Sequence, residues 1–133
     1  SIGMPEVIGF YTEKERLAKI KKEKTRLNKS LKLMGEDAKK VLGNLIDEAA
    51  FMAVMLDEAR KIIARDGLIE QYQNGQHQKG MKKSSAVEVY DKMANTYTKI
   101  IKTICDYLPE DAASDPAEEI LNFTIGGPYG GKR

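Results

Sequence analysis

Apolar residues recur at helical intervals in three stretches of the chain. Between Thr12 and Gly35, Leu17, Ile20, Leu27, Leu31 and Met34 alternate spacings of three and four, with Lys24 filling the one polar gap. That is a narrow heptad seam, suited to a single partner helix. Thr12 to Glu15 (Thr-Glu-Lys-Glu) has capping-box spacing, in which the hydroxyl and the later carboxylate each satisfy a free backbone N–H, so the helix is predicted to start at Thr12 and end near Gly35. The second stretch runs from about Glu36 to Asp66, with Gly67 placed for a left-handed cap. Its apolar positions include Val41, Leu42, Ile46, Ala49, Ala53, Leu56, Ala59 and Ile63, with Phe51 at one edge. They cover more of the circumference than one facing helix can bury. The third opens at Ser85, where Ser85 to Glu88 repeats the capping box, and closes at Leu108 because Pro109 disfavours helical geometry in the residue before it.

The pattern therefore predicts an all-α fold, a long antiparallel helical hairpin preceded by a basic amphipathic helix. Gln71 to Ser84 reads as the loop of the hairpin, with Asn74-Gly75 as a turn signal and Gly80 as a second breaker. The surplus apolar face of the second helix predicts a homo-oligomer, with Phe51, Met55, Ile62, Tyr90 and Tyr97 as interface residues. Four segments follow: an N-terminal extension (1–11), the basic helix (12–34), the hairpin (35–109), and an acidic, then Gly-rich tail (110–133). The tail lacks periodic apolar content and is expected to be flexible, with Ile120, Leu121 and Phe123 as a short partner-docking motif. The absence of Trp and the presence of only three Phe also argue against a sheet sandwich. A single cysteine forms no internal disulfide, and no apolar run approaches a membrane span, so a soluble, cytoplasmic protein is expected.

Charge adds a direction to this picture. The net charge is only +2, yet residues 12–34 hold nine Lys or Arg against three Glu, while residues 106–123 carry six acidic residues and no base. Such asymmetry suggests a nucleic-acid-facing segment and a separate acidic one. Lys19, Lys22, Arg26 and Lys29 repeat at intervals of three and four, which makes an exposed stripe on the side of the first helix away from its apolar seam. A row of cations suits phosphates, and without interleaved aromatic residues it is no platform for stacking single-stranded bases. Lys79, Lys82 and Lys83 are secondary candidates for the same contact.

Catalytic patterns are missing. His77 is the lone histidine, with no cysteine or carboxylate at zinc-ligand spacing, and reads as a solvated loop residue. Cys105 has no histidine near it along the chain and reads as a buried structural thiol. The glycines of the tail are not followed by Gly-Lys-Ser/Thr, so no phosphate-binding loop is present. Asp47-Glu48 and Asp57-Glu58, ten residues apart, are expected to share a solvated polar face. No metal, cofactor or enzymatic activity is expected.

From Ile46 to Pro109, about half the chain, the sequence resembles the phage terminase small subunits of the helical-hairpin type. The resemblance rests on the long helix ending Ala-Arg-Asp-Gly-Leu-Ile-Glu-Gln-Tyr-Gln-Asn-Gly-Gln (Ala64 to Gln76), on Lys-Lys-Ser-Ser-Ala (Lys82 to Ala86), and on a last helix with Tyr90, Met93 and Ile101 that finishes Tyr-Leu-Pro (Tyr107 to Pro109). It implies a viral genome-packaging protein that assembles into a ring, binds double-stranded DNA at the packaging start, and regulates a separate terminase large subunit holding the ATPase and nuclease. For a phage or prophage product the place of action is the host cytoplasm. Many such proteins carry an N-terminal helix-turn-helix, whereas residues 12–34 here read as one uninterrupted helix, so the contact expected is with phosphates. Two other classes fit the same residues: a helical adaptor or oligomerisation protein whose basic helix only solubilises it, and a small nucleic-acid-binding regulator unrelated to packaging.

Overall fold

The computed structural model describes residues 9–32, 34–75 and 78–108. Within them the order is α1 (Glu13–Leu31), α2 (Glu36–Asp66), β1 (Ile69–Asn74), β2 (Gln78–Lys83) and α3 (Ser85–Asp106). The predicted capping box at Thr12 is present in full: Glu15 N–H donates to the Thr12 hydroxyl and Thr12 N–H to the Glu15 carboxylate. The helix ends at Leu31, short of Gly35. There the N–H groups of Lys32 and Met34 close on carbonyls three residues back and turn the chain. Gly35 offers no side chain to cap α2, and Glu36 and Asp37 in the first turn meet the positive end of its dipole instead.

α2 is the centre of the molecule. At about 1.5 Å per residue its 31 residues extend roughly 46 Å, and α1 and α3 both pack along it. The wide apolar face is thus used within the chain, by two helices instead of one. One cluster joins Leu27 of α1, Leu42, Ile46, Ala49, Ala50, Ala53 and Leu56 of α2, and Tyr97, Ile101 and Ile104 of α3, with Met34 and Leu108 at its margins. The alanines let helices approach closely while Leu27, Leu42, Ile46 and Ile104, all fully buried, fill the space between.

The loop expected between the long helices is a two-stranded antiparallel ribbon. The fold is mainly helical, but not all-α. Gly67, with φ +93° and ψ 178°, leaves α2 in a conformation reserved for glycine, extended in ψ where a left-handed cap was expected. Ile69 then pairs with Lys83, Gln71 with Met81 and Gln73 with Lys79 on one face; Glu70 with Lys82 and Tyr72 with Gly80 lie on the other. Tyr72 lies across Gly80 so closely that a Cβ there would come within 2.7 Å of its ring. The cap of α3 is Ser84, one residue before the serine that the spacing suggested: its hydroxyl accepts from Val87 N–H at 3.2 Å. Ser85 instead donates through both N–H and hydroxyl to Glu70, tying β1 to the start of α3. α3 stops at Asp106, two residues before the predicted Leu108, although Leu108 still reaches the core.

Candidate nucleic-acid interface

Two ion pairs set the direction of α1 on α2. Arg16 meets Glu58 at 2.7 Å and Lys24 meets Asp47 at 3.5 Å, so the start of α1 lies at the end of α2 and the helices run antiparallel. The face of α1 that α2 covers is Glu23, Leu27 and Ser30, rotated from the heptad seam; Leu17, a seam residue, is 59% exposed. This rotation brings the stripe to the edge of the helix pair. Lys19, Lys22, Arg26 and Lys29 do fall together, but along a groove whose other wall is Val54 and Asp57 of α2, about 590 Å³ in volume.

Within that groove the four cations differ. Lys22 and Lys29 are exposed, and Lys19 is exposed with its ammonium 4.6 Å from the centre of the Tyr11 ring. Arg26 is half-buried and forked onto Glu23, Nε to Oε1 at 2.9 Å and Nη2 to Oε2 at 2.7 Å. Glu23 is itself buried. Its carboxylate cancels much of the Arg26 charge, so the expectation that Arg26 is a freely exposed member of the stripe is corrected: it is half-buried and paired with a buried acid of its own helix. Lys14, Lys21 and Lys32 are also exposed on α1. The outer surface of this helix is therefore a lysine face, and its inner edge is lined by buried acids.

Those acids correct a second expectation. Asp47 and Glu48 are solvated, but Asp57 and Glu58 are buried, with 8% and 4% exposure. Ten residues is about 2.8 helical turns, which rotates the second pair by roughly 80° from the first. Asp57 falls seven residues after Ala50 and eleven after Ile46, on the most buried line of α2. Glu58 takes both the Nε and an Nη of Arg16, and its Oε2 accepts the N–H groups of Phe10 and Tyr11 at 2.8 and 3.0 Å. Tyr11 hydroxyl donates to Asp57, which also lies 3.8 Å from Lys61. Gly9 passes so near that a Cβ would sit 2.9 Å from the Glu58 carboxylate. Hydrogen bonds from Arg16, together with those from the two backbone N–H groups, outweigh burial and hold the Glu58 carboxyl down at about 2. The same pairing raises the Arg16 guanidinium further. The cluster straps residues 9–11 over α2 and fixes α1 on it, so it positions the lysine face.

The ribbon lysines are not one patch. Lys79 and Lys83 share a face and Lys82 points to the other, where it meets Glu70 at 3.7 Å; Lys83 meets Asp91 of α3 at 3.5 Å. Of the residues expected at an oligomer interface, Phe51 is 44% exposed, and Met55, Ile62 and Tyr90 are half-buried. Tyr97 is buried in the core shared by α2 and α3, which leaves it nothing to offer a partner. Cys105 is half-buried, and burial, then the nearby Asp106, raises its thiol pKa. His77 and the docking residues Ile120, Leu121 and Phe123 lie outside the described residues. Among the described residues no His, Cys, Asp and Glu group is arranged to hold a metal ion, and no helix is long and apolar enough to cross a membrane.

Comparison with models of known protein families, with curated proteins and with solved structures finds no match.

Proposed function

We propose that this chain is a non-catalytic phage DNA-packaging protein of the terminase small-subunit kind, which binds duplex DNA as a homo-oligomer and acts on a separate ATPase and nuclease subunit. The observation that carries the reading is the lysine face of α1, with Lys19, Lys22 and Lys29 exposed along one edge of a helix that the Arg16 to Glu58 ion pair and a shared apolar core hold against α2. A rigid row of flexible ammonium groups binds phosphates without regard to sequence. The resemblance over Ile46 to Pro109 supplies the packaging context and the hairpin as assembly element. Exposed Phe51 and Val41 on α2 support association between copies.

Light scattering of the purified protein, alone and with duplex DNA, tests both halves of the reading. The expected mass is a multiple of 14.9 kDa, rising further when duplex is added. A mass of one chain that duplex leaves unchanged overturns it.

A further inference from the structure

The two faces of the β ribbon are chemically unequal. On one, Tyr72, 39% exposed, lies over Gly80, and the Glu70 carboxylate is engaged by Lys82 and Ser85. The other presents Gln71 opposite Met81 and Gln73 opposite Lys79, all exposed, with Met81 at 64%, and ends at Ile69, 59% exposed, opposite Lys83, which turns to Asp91. Gln73 donates its side-chain amide to the Gly75 carbonyl at 3.0 Å, which fixes the carboxamide at the turn end of this face. Nothing in the helical core requires two carboxamides, an ammonium and a thioether to be gathered there.

From this we infer that the ribbon is a base-reading element, which lays the face of Gln71, Gln73, Lys79 and Met81 into the major groove of duplex DNA. The inference rests on the proposed DNA-binding function and adds the source of its sequence preference. Six residues per strand make a ribbon roughly 20 Å long. The major groove, about 12 Å wide, admits a two-stranded ribbon. A glutamine carboxamide matches the paired donor and acceptor on the edge of adenine, a lysine the two acceptors of guanine, and an apolar tip the methyl group of thymine. The division of labour is then clear: α1 supplies affinity independent of sequence, and the ribbon supplies discrimination.

The test selects a pool of sequence-randomised duplexes with the full chain and with the Gln71→Ala/Gln73→Ala variant, and reads both the enriched sequences and the salt dependence of binding. Both substitutions are at exposed positions and remove only the Gln73 to Gly75 hydrogen bond, so circular dichroism should match the wild type and melting should fall little. The expected result is a defined motif for the wild type and a flattened one for the variant, with discrimination falling about tenfold for each glutamine that reads a base. The salt slope stays the same. A motif unchanged in the variant, or no motif for a wild type that does bind, overturns the inference and leaves the proposed function standing. A variant that keeps the motif but loses oligomeric mass makes the ribbon a contact between copies, and also overturns it. A wild type that binds no duplex overturns the proposed function, and the inference with it.

Discussion

Replacing Glu58 by Gln keeps the shape of the side chain and removes its charge, which isolates the ionised carboxylate that holds Arg16 and the strap at residues 9–11. The lowering of its pKa from 4.5 to about 2 sets a ceiling of roughly 3 kcal/mol on the stability this charge contributes at neutral pH. Arg16 is 23% exposed at its side chain, so water takes up part of its charge when the carboxylate is lost, and the expected destabilisation is about 2 kcal/mol. The sign follows from the direction of the shift. A folded-state pKa below the unfolded value gives stability that is complete above about 4.5 and is lost as pH falls towards 2. Less than half of it remains near pH ~3. Urea unfolding of wild type and variant at pH 7 and pH 3 measures the difference directly, since contributions of the other carboxylates cancel between the two proteins. A difference of the same size at both pH values, or one below about 0.5 kcal/mol at pH 7, refutes the view that an ionised Glu58 pins the strap.

Four further outcomes follow from the same geometry. Gly67→Ala forces a side chain into φ +93° and should cost roughly 1–3 kcal/mol in denaturant unfolding; an unchanged midpoint argues for a different exit from α2. Ile104→Ala, at a fully buried position, should lose about 2–5 kcal/mol by the same assay, and a loss under 1 would mean that α3 is not packed as described. Arg26→Glu places a second carboxylate against buried Glu23 and should lower the melting temperature, whereas Lys22→Glu at an exposed site should not; equal melting of the two variants contradicts the forked pair. Phe51→Glu should reduce the mass seen by light scattering without affecting the fold, and an unchanged mass would place the contact between copies elsewhere.

What the sequence made legible was what is local. The bounds of α2, Glu36 to Asp66, and the capping box at Thr12 come directly from apolar period and cap chemistry. The ribbon was hidden because Gln, Lys and Gly are weak strand formers and no apolar alternation marks Gln71 to Lys83; only the Asn74-Gly75 turn signal was present. Its pairing also depends on Gly67 redirecting the chain and on Tyr72 covering Gly80, which are three-dimensional events. The Arg16 to Glu58 cluster joins residues 42 positions apart, beyond any local pattern. Its one sequence signal was Asp57, which continues the line of Ile46 and Ala50 on a helix apolar over most of its circumference. The four cations of the stripe line one groove, but Arg26 could not be separated from the three lysines until Glu23 was seen buried beside it.

The central claim is that exposed lysines of α1 hold DNA through its phosphates, and a salt titration of duplex binding tests it most directly. The comparison is between wild type and Lys22→Glu/Lys29→Glu, both substitutions lying at exposed positions that leave half-buried Arg26 paired with buried Glu23. The expected result is weaker binding to every duplex alike, with the slope of log affinity against log salt reduced by about 1.8 for each engaged subunit, since each neutralised phosphate releases about 0.9 of a counterion. Equal slopes for the two proteins would contradict the account and move the phosphate contacts away from α1.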